Sequence, residues 1–212
     1  MSESQSESES ESATSPTAER RPIPAGLRWS LVGGAALVVI LIDQLSKAWA
    51  VDRLYDGSVV RVFWTLQFLY AENTGMAFSK GAGMGPVIGL VAIGISVVVA
   101  ISARKLRSPL ALVLCGIVIG GALGNVIDRA SRVPAGGKLM SGAVVDFIDL
   151  QWWPVFNVAD MAVVCGGIAL AVLLVRDPDA SAPEDQSETE MPGAATSSAD
   201  PTDPTDPADP EV

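Results

Sequence analysis

The chain has 212 residues, 49% of them hydrophobic, with a mean hydropathy of +0.38 and a formal charge of −10. The acidity belongs to the ends: residues 1–21 carry −3 and residues 177–212 carry −11, whereas residues 22–176 carry +4. That distribution leaves no acidic binding face and no sign of a nucleic-acid partner, and the absence of histidine excludes Ser-His-Asp and Cys-His catalysis and most zinc sites.

Residues 1–21 alternate Ser with Glu before adding Thr and Pro. Such a stretch cannot bury a core and reads as a disordered tail. The first apolar run, about residues 27–50, is long enough to span a bilayer, which takes ~20 residues. Arg20, Arg21 and the triplet Ala48-Trp49-Ala50 imitate a cleavable export signal, but Asp43 and Lys47 stand where such signals are small and neutral, so the run reads as a retained helix. Residues 52–83 follow, and Val59–Tyr70 within them is rich in β-branched and aromatic residues, which predicts one or two short strands. Gly81, Gly83 and Gly85 make a turn rather than a nucleotide loop, since the Lys and the strand–helix setting of such a loop are missing.

Further spans are expected at about 84–101, 109–127 and 155–175. The link between the second and third carries Arg104, Lys105 and Arg107 and no acid, which marks it cytoplasmic and places both termini on that side. Cys115 and Cys165 lie in apolar runs and read as buried small hydrophobes; the lipobox-like Ala111–Cys115 is core packing. Residues 128–154 join the last two spans outside, and Trp152, Trp153 and Phe156 suit an interfacial aromatic belt. Residues 177–212 form a second disordered tail. The expected fold class is an all-α membrane protein of four transmembrane helices, with a small external β-rich segment between helices 1 and 2 and disordered cytoplasmic tails around a 22–176 domain.

Charged groups in or beside spans are costly and therefore informative. Asp43 and Lys47 are four apart on one helical face and can pair, an arrangement that structure alone would explain. Asn125, Asp128 and Arg129 share a face of the third span, where Asp128 and Arg129 can form a structural pair, and Gly116, Gly120 and Gly124 form a close-packing stripe. Asn157 and Asp160 are three apart near the outer end of the fourth span, and Asp160 has no charged neighbour in sequence before Arg176. Val145–Asp149 alternates like a strand or a short helical entry, so Asp146 can meet Asp160 at the outer surface. Two carboxylates held close share a proton, and such a pair can activate water and protonate a departing amine. On spacing alone Asp128 is an equal candidate for the second carboxylate. Two other readings are open at this point: a small transporter or proton channel relaying through Asp43, Asp128 and Asp160, and a Ser46–Lys47 peptidase, whose adjacent side chains diverge by ~100° on a helix.

Five segments in order resemble lipoprotein signal peptidase, the signal peptidase II family of aspartyl peptidases in bacterial membranes. They are Asp43–Lys47, Asn73–Phe78, Gly121–Arg129, Val145–Phe147 and Phe156–Asp160. The resemblance implies that Asp146 and Asp160 are the catalytic dyad, with Asp43, Lys47, Asn73, Asn125, Asp128, Arg129 and Asn157 supporting or lining the site. It implies a β-cradle between the first two spans, a diacylglyceryl-modified prolipoprotein as substrate, membrane lipid as surroundings, and no metal or organic cofactor. A monomer is the working assumption. The chain departs from the family's pattern in its long acidic tails, a longer stretch at 130–143 and a short link from Asp146 to Asn157.

Overall fold

The computed structural model describes residues 23–75, 84–177 and 180–181. Most of both tails, the Met76-Ala77-Phe78 half of the second motif and the Gly81–Gly83 turn lie outside the described residues. Four helices are long and apolar enough to cross a membrane: α1 (Ala25–Leu54), α2 (Gly85–Ala103), α3 (Pro109–Ser131) and α4 (Val158–Arg176). Half of α3's most apolar window is buried, against 11–17% for the other three, so α3 is the central helix and the others turn most of their apolar surface outward. An outward apolar surface is what a bilayer solvates.

Each boundary has a local cause. At the start of α3, Ser108 is the N-cap, its hydroxyl accepting from the Ala111 N–H at 3.4 Å, and Pro109 fills the first helical position, where a missing N–H costs nothing. The fourth helix begins at Val158, a little later than the apolar run suggests, because Asn157 and Asp160 form a capping box. The first helix runs on to Leu54, past the expected end near residue 50, and its buried stripe reads Val32, Ala36, Asp43, Lys47, Ala50, Leu54. That stripe passes from apolar to charged and back to apolar.

Three strands form one antiparallel sheet in the order β1 (Val60–Phe63), β2 (Leu66–Asn73), β3 (Val144–Asp149). The sheet docks on the end of α1 through Trp49, Phe68 and Phe147, whose ring centroids lie 5.6–6.3 Å apart, and through buried Ala50, Leu54 and Val145. A second core of Val32, Ala36, Leu112, Cys115 and Ile119 fills the opposite half of the bundle. Cys115 is buried as expected. Cys165 is not: it is free and exposed on α4, a helix that turns most of its apolar surface outward.

Candidate active site

The first carboxylate arrives on a strand. Asn73 pairs with Val144 and Ala71 with Asp146, so Asn73 and Asp146 are diagonal neighbours across β2 and β3. Asn73 Nδ2 donates to Asp146 Oδ2 at 3.0 Å. Neither unusual link disturbs this strand. The long stretch after α3 closes on itself, with the Gly142 N–H donating to the Arg129 carbonyl at 3.0 Å, so the chain re-enters the sheet beside the helix end it left. The short link turns back sharply: the Phe147 and Ile148 N–H groups both donate to the Phe156 carbonyl, at 3.0 and 2.8 Å. Asn157 thereby arrives beside Asp146.

The second carboxylate arrives in the first turn of α4. Asn157 Oδ1 accepts from the Asp160 N–H at 3.0 Å, and Asp160 Oδ2 accepts from the Asn157 N–H at 3.2 Å. The same Asn157 side chain donates through Nδ2 to Asp146 Oδ1 at 2.7 Å and to Asn125 Oδ1 at 3.1 Å. Asn125 in turn donates through Nδ2 to Asp160 Oδ1 at 2.8 Å. Two amides therefore bridge Asp146 to Asp160, and Asp160, isolated in sequence, is partnered in space. Burial, and then the nearby charge of Asp160, push the Asp146 carboxyl up to about 6, against the opposing hydrogen bonds from Asn73 and Asn157.

Beneath the carboxylates lies a fully buried ion cluster. Lys47 Nζ is 2.8 Å from both Asp43 Oδ2 and Asp128 Oδ2, with no side-chain exposure on any of the three, and donates to Asn125 Oδ1 at 3.0 Å. Each flanking aspartate also grips the backbone next to one of the two carboxylates. Asp43 Oδ1 accepts from the Ala159 N–H at 3.0 Å, and Asp128 Oδ2 accepts from the Val145 N–H at 3.3 Å. The cluster thus ties α1 and α3 to the residues that precede Asp160 and Asp146. Buried charges persist only when paired and hydrogen-bonded, and all three are.

The expected Asp128–Arg129 pair is replaced by another arrangement. Asp128 takes Lys47 and, at 3.2 Å, Arg132 one turn on, while Arg129 points to the carbonyls of Asn73 and Gly75 at 3.4 Å and holds the end of β2. Adjacent side chains diverge on a helix, so each selects a different neighbour. Two contributors were missed in the sequence. Gln44 donates to Asp43 Oδ2, the Gly124 carbonyl and Asp128 Oδ1 at 3.1–3.3 Å, and Arg132 closes the outer side of Asp128. Arg132 was findable as the residue four after Asp128. The Ser46–Lys47 dyad is excluded: Lys47 is held between two carboxylates, and the Ser46 hydroxyl donates to the Asp43 carbonyl at 2.8 Å.

A groove of about 590 Å³ opens beside the carboxylates between α2, α3 and α4. Its walls are apolar, including Val87, Ile88 and Val91, and its polar end holds Asn73, Asn125, Arg129 and Asp160. An apolar cleft ending in a few convergent polar groups is the common form of a substrate site.

The family model for signal peptidase (SPase) II matches residues 35–176. The lipoprotein signal peptidase of Rhodococcus jostii is 43% identical over 145 residues, 67% of this chain and 72% of that one. That of Mycobacterium avium is 40% identical over 163 residues, covering 76% and 87% of the two chains, and that of Syntrophomonas wolfei 39% over 146, covering 68% and 92%. Two bacterial membrane enzymes solved by the in meso method share the fold at a TM-score of 0.58, with 23% and 24% identity, over 82% and 74% of this chain and 99% and 98% of theirs. The four spans, the small sheet and the match across nearly all of both lead to one assignment: the chain belongs to the signal peptidase II family of membrane aspartic peptidases.

Proposed function

We propose that this protein removes the signal peptide from prolipoproteins whose cysteine carries diacylglyceryl, cutting the bond N-terminal to that cysteine with Asp146 and Asp160 as the catalytic pair. The observation that carries this reading is the convergence of a strand carboxylate and a helix-cap carboxylate on one amide bridge, Asn157–Asn125, at the mouth of an apolar groove. One carboxylate takes a proton from water as the water oxygen bonds to the scissile carbonyl carbon. The other gives its proton to the nitrogen as the C–N bond breaks, so the pair ends with as many protons as it began. The raised Asp146 carboxyl suits the member that holds the shared proton. Asp43, Lys47, Asn73, Asn125, Asp128, Arg129 and Asn157 orient the pair or line the groove.

The bases Arg104, Lys105 and Arg107 between α2 and α3 support a cytoplasmic location for that link. The sheet and the pair then lie at the external face of the bacterial cytoplasmic membrane, with both termini inside. Residues 22–176 are the catalytic unit and the acidic tails are dispensable to it. The test is cleavage of a synthetic diacylglyceryl prolipoprotein by the full chain in lipid-supplemented detergent, beside Asp160→Asn and a substrate lacking the lipid. Cleavage of the lipidated substrate alone, lost in the variant, is expected; a folded wild-type chain that leaves it intact overturns the reading.

A further inference from the structure

The function proposed above sets a geometric demand. The residue just after the scissile bond carries the lipid, so the alkyl chains must leave from a point beside the catalytic pair. Grooves that touch that pair qualify. Among the described residues Asp160 lines two, and Asp160 with Val164, one turn on, forms the ridge between them. The first is the groove between α2, α3 and α4. The second, about 410 Å³, lies on the other side of α4 beneath the β3–α4 turn and is walled by Leu150, Trp152, Trp153, Phe156, Met161 and Cys165.

We infer that this second groove receives an acyl chain of the lipidated cysteine, leaving the first to the signal peptide. Apart from Asp160, the side chains that wall it are apolar or, in Cys165, a thiol. A peptide backbone lying there would leave its N–H and C=O groups without partners, whereas an alkyl chain has none to satisfy. The first groove offers Asn73, Asn125 and Arg129, which can meet a backbone. The wall of the second groove is built rather than loose. Asp149 Oδ1 accepts from the Gln151 N–H at 2.7 Å, its other oxygen accepts from Gln67 Nε2 at 2.7 Å, and Phe156 pairs with Ile148 through its backbone. Those bonds hold Trp152 and Trp153, packed edge to face with ring centroids 6.2 Å apart, out over the groove's rim although both are largely exposed. Exposed paired tryptophans at the end of a spanning helix suit the bilayer interface, from which a lipid chain enters.

This inference rests on the peptidase reading, and two measurements separate their fates. The first uses peptides bearing dipalmitoyl- or dioctanoyl-glyceryl cysteine, cleaved by the full chain in detergent. Cys165→Trp, which narrows the second groove, is expected to raise KM for the dipalmitoyl substrate about tenfold more than for the dioctanoyl one, the effect of losing burial of about two methylenes. Val91→Trp in the first groove is expected to impair both alike. The second measurement is independent of turnover: a substrate with a photoreactive group at the acyl terminus is crosslinked to the chain and mapped by mass spectrometry. Attachment within residues 150–165 supports the inference. Attachment to α2, or an unchanged chain-length preference in Cys165→Trp, overturns it. A wild-type chain that cleaves neither substrate removes the peptidase reading, while the crosslink position still decides where an alkyl chain binds.

Discussion

The two halves of α3 are held to α1 by opposite means. In the N-terminal half Gly116 lies against the Val32 carbonyl, and a Cβ on Gly120 would come within 2.6 Å of the Ala36 carbonyl. The helices touch there through backbone, as small-residue stripes in membranes allow. In the C-terminal half the third glycine of the same stripe faces a side chain: a Cβ on Gly124 would lie 2.6 Å from Asp43 Oδ2. From that point on the contact is made by Asp43, Lys47, Asn125 and Asp128. Lipid tails are as apolar as the helices, so packing holds the N-terminal half without specifying any chemistry. Buried charge holds the C-terminal half and fixes where the carboxylates stand.

If that division is right, the largest separation of function from fold comes at the carboxylates. Asp160→Asn or Asp146→Asn is expected to lower cleavage by about a thousandfold or more with the protein still folded in the membrane. Activity assays beside thermal unfolding in detergent measure both, and near-normal turnover in either variant would break the assignment. Lys47→Met strikes the charged half itself, leaving Asp43 and Asp128 buried without their shared cation. Removing one partner of a buried cluster costs about 3–5 kcal/mol, so Tm and activity should fall together. Gly120→Val strikes the packed half. Its clash with α1 backbone is worth about 1–3 kcal/mol, seen as a lower Tm and yield, but the surviving folded fraction should retain the wild-type pH profile. A changed profile there would mean that the two halves are not separable.

How much of this could be read in the residues differs between the halves too. The spans follow from length and hydropathy, and the glycine stripe from a spacing of four, because both are local and periodic. Asp43 with Lys47 is equally local. The bridge from Asp146 to Asp160 is not: it needs Phe156 to pair back onto Ile148 and Asn157 to cap α4, two events across different elements. Asn157 and Asp160 look like one face of a continuing span when hydropathy sets the boundary, whereas an Asn followed three residues later by Asp also reads as a helix start. Strand β3 reads from sequence either as a strand or as a short helical entry, because Val145–Asp149 is too short for its alternation to decide, and in the fold nearly all of its residues are buried, so no polar face marks it. Gln44 gives no signal in the sequence, since nothing local shows that an amide there reaches three acceptors.

The finest test lies at Asn73, where the sheet meets the charged half. Its amide hydrogen-bonds the Asp146 carboxylate, which favours the ionised form and opposes burial and Asp160; the carboxyl with that bond in place is pushed up to about 6. Asn73→Ala removes the lowering contribution, so the Asp146 carboxyl should keep its proton to a higher pH. If the pair must hold one proton to cleave, the alkaline limb of kcat/KM moves upward. The rate at the optimum should fall by about tenfold, the value of one hydrogen bond to a charged group. A merely structural Asn73, which also accepts from the Gly75 N–H at 3.1 Å, would lower the rate without moving the limb. Gly120→Val, which replaces no group that hydrogen-bonds the pair, is the matched control: a limb that moves in Asn73→Ala and stays in Gly120→Val locates proton control in the charged half alone.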